Sequence, residues 1–401
     1  MAVTEHAPTT EEARVDEAVE RLLAEHPPKD TDVVAFLGAQ FDAGLAWVHY
    51  DEGFGGLGLA ARHQKTINER LAAAGAPLAM ARNPIGHGMS APTIYTHGSD
   101  EQKARYLRPL FTGEEIWCQL FSEPGAGSDV AGLSSRAVKD GDEWIVNGQK
   151  VWTTLAHVSR FGTLVARSDP DQPKHKGLTH FVVDMQAPGV EVRPLRQMTG
   201  DAEFNEVYFT DVRIPDSERL GEVGEGWKVA ITTLMNERVY IGGAITPRES
   251  GPIAIAKAEW QKHCDPDDLA TKDELMQLWV RAEVSRLTNI RASQMRKLGD
   301  PGPEGSVAKL AMAELNKDIL SFAVDCMGAE GMLYGTYDID RSDGVGMFGG
   351  STQQSFLRSR ANSIEGGTTE VMKNILGERV LGLPGDIRVD KDKPWSQVPR
   401  S

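Results

Sequence analysis

The sequence predicts an α+β fold, mainly helical, with a small β domain set between two helical regions. Apolar residues recur at helical spacing in the C-terminal stretch and helix signals dominate the N-terminal one, while between about 118 and 220 the pattern changes to short β-branched runs punctuated by Gly and Pro. The chain also has 401 residues, 40% of them hydrophobic, enough for more than one core and too many for a single compact one. The expected division is a loose tail over 1–14, a helical domain over 15–117, a mostly antiparallel β domain over 118–220 and a helical domain over 221–401.

In the first stretch, Ser99-Asp100-Glu101-Gln102 has capping-box spacing, so a short helix should follow through Phe111 and end before Gly113. The glycines of Gly53-Phe54-Gly55-Gly56-Leu57-Gly58 predict a loop. In the second stretch, Glu143-Trp144-Ile145-Val146 leads into Asn147-Gly148, the strongest short hairpin signal, and then Lys150-Val151-Trp152-Thr153. Gly162–Ala166, Thr179–Met185, Val190–Val192 and Glu206–Ile214 are further strand candidates. In the third, Trp227–Ala244 reads as a buried helix, and Leu275, Leu278, Trp279 and Ala282 fall at i, i+3, i+4 and i+7. Val307–Met327 and Val371–Leu381 are helices by the same criterion, and Pro247, Gly251-Pro252 and Gly299–Gly305 are breaks.

Charge narrows the function classes. There are 43 Lys and Arg against 58 Asp and Glu, a net charge of −15, which argues against a nucleic-acid partner because phosphate recognition relies on clustered bases. No apolar run approaches the ~18 residues of a membrane span. Met1–Asp30 carries eight acids, three bases and no apolar core of a signal peptide, so a cytoplasmic location is expected. Cys118, Cys264 and Cys326 are odd in number and far apart, which supports neither a disulfide framework nor a metal site.

Four segments could carry chemistry. Phe121-Ser122-Glu123-Pro124-Gly125-Ala126-Gly127-Ser128-Asp129 is either a turn-rich connection or a loop whose glycines let a ligand reach the backbone. Trp152-Thr153-Thr154 follows; a Trp and a Thr two apart on a strand share a face and could meet a flat heteroaromatic, or form an ordinary cross-strand pair. Glu237 lies in an otherwise apolar helix beside Arg238, as a structural ion pair or as a carboxylate kept for proton transfer. Ser363-Ile364-Glu365-Gly366-Gly367-Thr368-Thr369-Glu370 is a Gly-rich entry to a helix, whose first amides attract anions and carbonyl oxygens, or simply a flexible start.

Together these motifs resemble the acyl-CoA dehydrogenase family over about residues 35–385. The family's flavin-loop signature is matched by 121–129, its second by Val146-Asn147-Gly148-Gln149-Lys150-Val151-Trp152-Thr153-Thr154, and its C-terminal one by Glu365-Gly366-Gly367-Thr368-Thr369-Glu370. The early glycine cluster Gly55-Gly56-Leu57-Gly58 matches too. The resemblance implies an N-terminal helical domain, a central β-barrel or sandwich and a C-terminal four-helix bundle, with FAD between them. It implies cofactor contacts from Leu120, Phe121, Ser122, Gly127, Ser128, Trp152, Thr153, Thr154, Gly367, Thr368 and Glu370, and substrate contacts from Ser128 and Arg238. The implied reaction is α,β-dehydrogenation of an acyl-CoA to a trans-2-enoyl-CoA, with electron-transferring flavoprotein as acceptor and a homo- or hetero-oligomer, a dimer of dimers, as the assembly. The backbone N–H of Gly366 would polarise the thioester carbonyl.

Two departures matter. Many members carry the base just before the C-terminal Gly-Thr, where this chain has Gly366; others carry it on a bundle helix before an Arg, which is Glu237 here. Glu237 is therefore the expected base, with Glu365 the alternative. The elements that usually reach a neighbouring subunit's FAD are also altered, to Arg248-Glu249-Ser250-Gly251-Pro252 and Asp325-Cys326-Met327-Gly328-Ala329. That erosion leads to the expectation of a related partner chain; a non-catalytic subunit and an O₂-using flavin oxidase are the alternative readings.

Overall fold

The computed structural model describes residues 10–242, 245–297, 304–336, 338–339, 350–385, 387 and 390–399, of which the side chains of 238–242, 296–297 and 304 are not described. The first helix, α1 (Thr10–Glu25), starts inside the stretch expected to be a loose tail. The reason is its buried stripe of Val15, Ala18, Val19 and Leu22, which seals the first helical domain. That domain continues with α2 (Val33–Asp42), α3 (His63–Ala73), α4 (Ala79–Arg82), a π-helical turn over Gly86–Ser90, α5 (Ala91–His97) and α6 (Asp100–Thr112). The capping box is present: Ser99 Oγ accepts from Gln102 N, Gln102 Oε1 from Ser99 N, and Gly113 closes the helix in the left-handed region.

Eight strands form the central domain: β1 (Trp117–Leu120), β2 (Arg136–Asp140), β3 (Glu143–Thr154), β4 (Phe161–Arg167), β5 (Leu178–Asp184), β6 (Val190–Pro194), β7 (Phe204–Pro215) and β8 (Arg219–Leu220). Their order is β6-β7-β3-β2-β4-β5-β8, antiparallel except where β1 and one β2 residue lie parallel to β4. The Asn147-Gly148 turn is not there. β3 runs straight through it, and the hairpin closes instead over Asp140-Gly141-Asp142-Glu143. Asn147 and Gly148 form an irregularity against β7, where Asn147 exchanges hydrogen bonds of 2.9 and 3.0 Å with Asp211. Gly148 has φ 153°, and a Cβ there would lie 2.2 Å from Ser135 Oγ. Pairing on both sides of β3 overrode a local turn preference.

The helices α7 (Gly226–Gly242), α8 (Pro252–His263), α9 (Leu269–Lys297) and α10 (Glu304–Cys326) make the C-terminal bundle, followed by α11 (Thr352–Ser359) and α12 (Thr369–Ile375). Leu275 and Leu278 on α9 pack against Leu315, Ile319 and Phe322 of α10, as their spacing predicts. α10 also touches α7, α8, α11 and α12, so it is the axis of this domain. α7 lies at the junction of all three regions, against α5, the π-turn, β4, β5 and α10. Among the described residues no helix is long and apolar enough to cross a membrane.

Candidate active site

The loop after β1 is shaped from underneath by a buried ion pair. Lys150 Nζ, fully buried in β3, donates to Phe121 O (2.9 Å) and to Glu123 Oε1 (2.8 Å). Glu123 also accepts from the amides of Ser134 (2.6 Å) and Ser135 (2.9 Å), and Ser122 O accepts from Val151 N at 2.9 Å. Burial opposes the ionisation of Glu123, yet the Lys150 ammonium and the two serine amides outweigh it and hold its pKa below the ordinary value. The first two motifs are thus one structural unit. Sequence reading quoted both residues without a role, because nothing local shows that positions 27 apart meet.

The exposed side of this unit is open backbone. Gly125 and Gly127 have nothing near their missing Cβ positions, and Ser128 is exposed. Leu120 and Phe121 are buried, Phe121 against the His180 ring at 5.5 Å, so only their backbone can meet a ligand. The strand face inferred for Trp152 and Thr154 needs correction. β3 is irregular between Lys150 and Thr153, with Trp152 at φ 59°, so simple alternation fails there. Trp152 is 57% exposed, edge-on to Phe204 at 5.9 Å; Thr154 is half-buried opposite Phe204, and Thr153 is buried with no hydrogen-bond partner for Oγ1 among the described residues. A large indole left in solvent beside open backbone fits a planar aromatic cofactor such as a flavin.

Glu237 is half-buried on α7, and Gln119 of β1 donates to its Oε2 at 3.4 Å. α7 is anchored one turn earlier, where Thr233 Oγ1 meets Thr93 Oγ1 of α5 at 2.8 Å. The side chain of Arg238 lies outside the described residues.

Glu365, the alternative base, is already engaged. Arg358 of α11, 5% exposed, grips it through two bonds of 3.2 and 2.8 Å, and Asn362 Nδ2 donates to it at 2.8 Å. The Arg358 guanidinium also lies 5.7 Å from the Phe204 ring, which links the Glu365 loop to Trp152 through two side chains. Gly366 and Gly367 follow with φ 63° and 95°, where a side chain would be strained. Thr368 is the N-cap of α12 and accepts from Val371 N at 3.1 Å, so part of that helix start is satisfied internally. Glu370 is exposed. Lys309, Asn316 and Glu314 of α10 hold the loop and the first turn of α12 through Asn362, Gly367 and Thr369. None of the three carried a signal beyond helical periodicity. Arg248 lies over the Trp279 ring of its own chain at 5.0 Å.

Comparison with known proteins gives matches along almost the whole chain. Models of the acyl-CoA dehydrogenase N-terminal, middle and C-terminal domains match residues 6–114, 118–212 and 224–381. Acyl-CoA dehydrogenase FadE34 of Mycobacterium tuberculosis is 39% identical over 348 residues, 86% of this chain but only 45% of that protein, so the chain spans less than half its length. Acyl-CoA dehydrogenase IpdE1 of the same organism is 35% identical over 350 residues, 86% of each chain. Among solved structures, the ChsE4-ChsE5 complex from Mycobacterium tuberculosis aligns with TM-score 0.69 and 26% identity over 96% of this chain and 100% of that one. The Tcur3481-Tcur3483 steroid acyl-CoA dehydrogenase shares the fold, with TM-score 0.70 and 23% identity over 95% of this chain and 99% of that one.

Proposed function

The chain belongs to the acyl-CoA dehydrogenase family of FAD-dependent oxidoreductases, and from that premise we propose that it dehydrogenates an acyl-CoA thioester between Cα and Cβ with Glu237 as the base. One observation carries the choice of base: the Glu365 carboxylate is occupied by Arg358 and Asn362, whereas Glu237 stands half-buried at the junction of the three regions.

An α-proton beside a thioester is weakly acidic, so charge developing on the carbonyl oxygen needs donors fixed in advance. The Gly366 amide is the proposed donor, and a backbone N–H loses nothing by belonging to glycine. Glu237 takes the α-proton from its half-buried place on α7. When bound, FAD supplies the acceptor for the hydride that leaves Cβ. Ser122, Gly127, Ser128, Trp152 and Thr154 would hold its ring half, and Gly367, Thr368 and Glu370 the other, with Ser128 and Arg238 also toward the substrate.

The test is a pair of variants. Glu237→Gln is expected to retain bound FAD by its visible absorbance while losing about three orders of magnitude in kcat. Glu365→Gln is expected to lose stability more than turnover, since it leaves the buried Arg358 with only the more distant Glu203, at 4.0 Å, as its carboxylate. A dead Glu365→Gln beside an active Glu237→Gln reverses the assignment.

A hetero-oligomer with a related chain is the second part of the proposal, and the altered neighbour-facing elements support it. The two-chain ChsE4-ChsE5 relative supports it as well. Electron-transferring flavoprotein is the proposed acceptor; reoxidation of the reduced protein by it, against reoxidation by O₂, separates a dehydrogenase from an oxidase.

A further inference from the structure

The loop that carries Glu365 and Gly366 hangs between two fixed points. It runs from Asn362, in a 3-10 turn over Arg360–Ser363, to Thr368, the N-cap of α12. Two consecutive glycines at positive φ make its shape depend on what holds its ends. Both ends are held by one atom. Lys309 Nζ donates to Asn362 O at 2.9 Å and to Gly367 O at 2.5 Å.

A lysine is a costly choice for that task. Lys309 is fully buried, and carbonyls can be satisfied by a neutral amide, as Asn316 on the same helix does for the Asn362 side chain at 3.2 Å. Burial does push the Lys309 pKa down, but four carboxylates oppose it: Glu365 from the loop, Glu237 from α7, Glu314 from its own helix and Glu370 from α12. Glu365 is gripped by Arg358, Glu314 pairs with Lys317 at 2.9 Å, Glu370 is exposed, and Gln119 of β1 donates to the half-buried Glu237 at 3.4 Å.

We propose that Lys309 is a positioning residue for the dehydrogenation: it clamps both ends of the Gly366 loop and so fixes where the Gly366 amide points. This rests on the reading of Glu237 as base and Gly366 as carbonyl donor. A shorter donor in its place can restore packing without closing both bonds, so stability and loop geometry separate by substitution.

The experiment compares wild type with Lys309→Met, Lys309→Gln and Lys309→Arg as FAD-loaded protein in its active assembly. The substrate is the best acyl-CoA from a panel. Readouts are FAD content, melting temperature, kcat and KM from about pH 5 to 9, and the visible spectrum on adding the 3-thia analogue of that acyl-CoA. Sulfur at the β position blocks hydride loss, so the spectrum reports thioester polarisation and α-deprotonation without turnover. Lys309→Met is expected to keep most FAD, lower kcat about 100-fold at pH 7 with KM changed less than about threefold, and weaken the analogue's spectral change. Lys309→Gln should recover melting temperature without recovering kcat or the spectral change, because its shorter amide does not span both carbonyls, and Lys309→Arg should recover part of both. Wild-type kcat and spectrum in Lys309→Met overturn the proposal. So does a loss of kcat that tracks FAD content and melting temperature while the analogue's spectral change stays intact, since that marks a merely structural lysine. If instead Glu237→Gln stays active, the underlying reading fails, independently of Lys309.

Discussion

At the scale of single residues, the site is a set of charges placed where burial makes them matter. The Lys150–Glu123 pair joins strand β3 to the loop after β1. Removing one partner of a buried pair costs about 3–5 kcal/mol, because the remaining charge stays desolvated. Lys150→Met is therefore expected to lower the melting temperature sharply and to release FAD, measured by thermal denaturation and by the flavin absorbance left after gel filtration. The pH dependence has a definite sign. The folded-state pKa of Glu123 is depressed, so its stabilisation is present above the ordinary carboxylate pKa and is lost as pH falls through the lower folded value. The gap between wild type and Lys150→Met should thus narrow below about pH 4. Glu365 makes the complementary point: a carboxylate next to a motif glycine looks catalytic in sequence, but two partners already use its oxygens.

At the scale of elements, β3 is the decisive one. It carries Lys150 on its buried side and Trp152 at an irregularity on its exposed side. Its path through Asn147-Gly148 depends on a residue without a Cβ, since Ser135 from the approach to β2 occupies that space. Gly148→Ala should cost about 1–3 kcal/mol by crowding and backbone strain. Denaturant melts measure this cost, and an unchanged midpoint would show that Ser135 gives way. α10 plays the equivalent part in the bundle, burying Leu315, Ile319 and Phe322 while Lys309, Glu314 and Asn316 hold the Gly366 loop and α12.

At the scale of the whole molecule, α7 brings the regions to one place, and α9 points outward. Met276, Val280, Val284 and Leu287 leave an apolar stripe on α9, each more than 40% exposed. A second chain covering this face is consistent with the proposed hetero-oligomer. Expressed alone, the protein should bind FAD substoichiometrically and fail to form a stable tetramer; co-expression with a related partner should repair both. Light scattering and flavin absorbance per chain decide it, and a homotetramer with one FAD per chain would sink the proposal.

The sequence by itself determined the order of helical, β and helical regions, the capped helix after Ser99, the buried face of α9 and the family. Each rests on periodicity, capping chemistry or motif spacing, which are local and survive without coordinates. It also placed Glu237 as a candidate, because a lone carboxylate in an apolar helix is visible in one dimension. Only the tertiary structure decided that α1 reaches back to Thr10, that Asn147-Gly148 lies inside a strand, and that Lys150, Lys309 and Arg358 are the buried cations of the site. Most of those outcomes depend on distant partners, such as Lys150 with Glu123, 27 positions away, and Lys309 with Gly367, 58 away, while Arg358 meets Glu365 only 7 positions on. Which charge is buried, and beside which carboxylate, is set by packing, and local residue patterns do not carry that information.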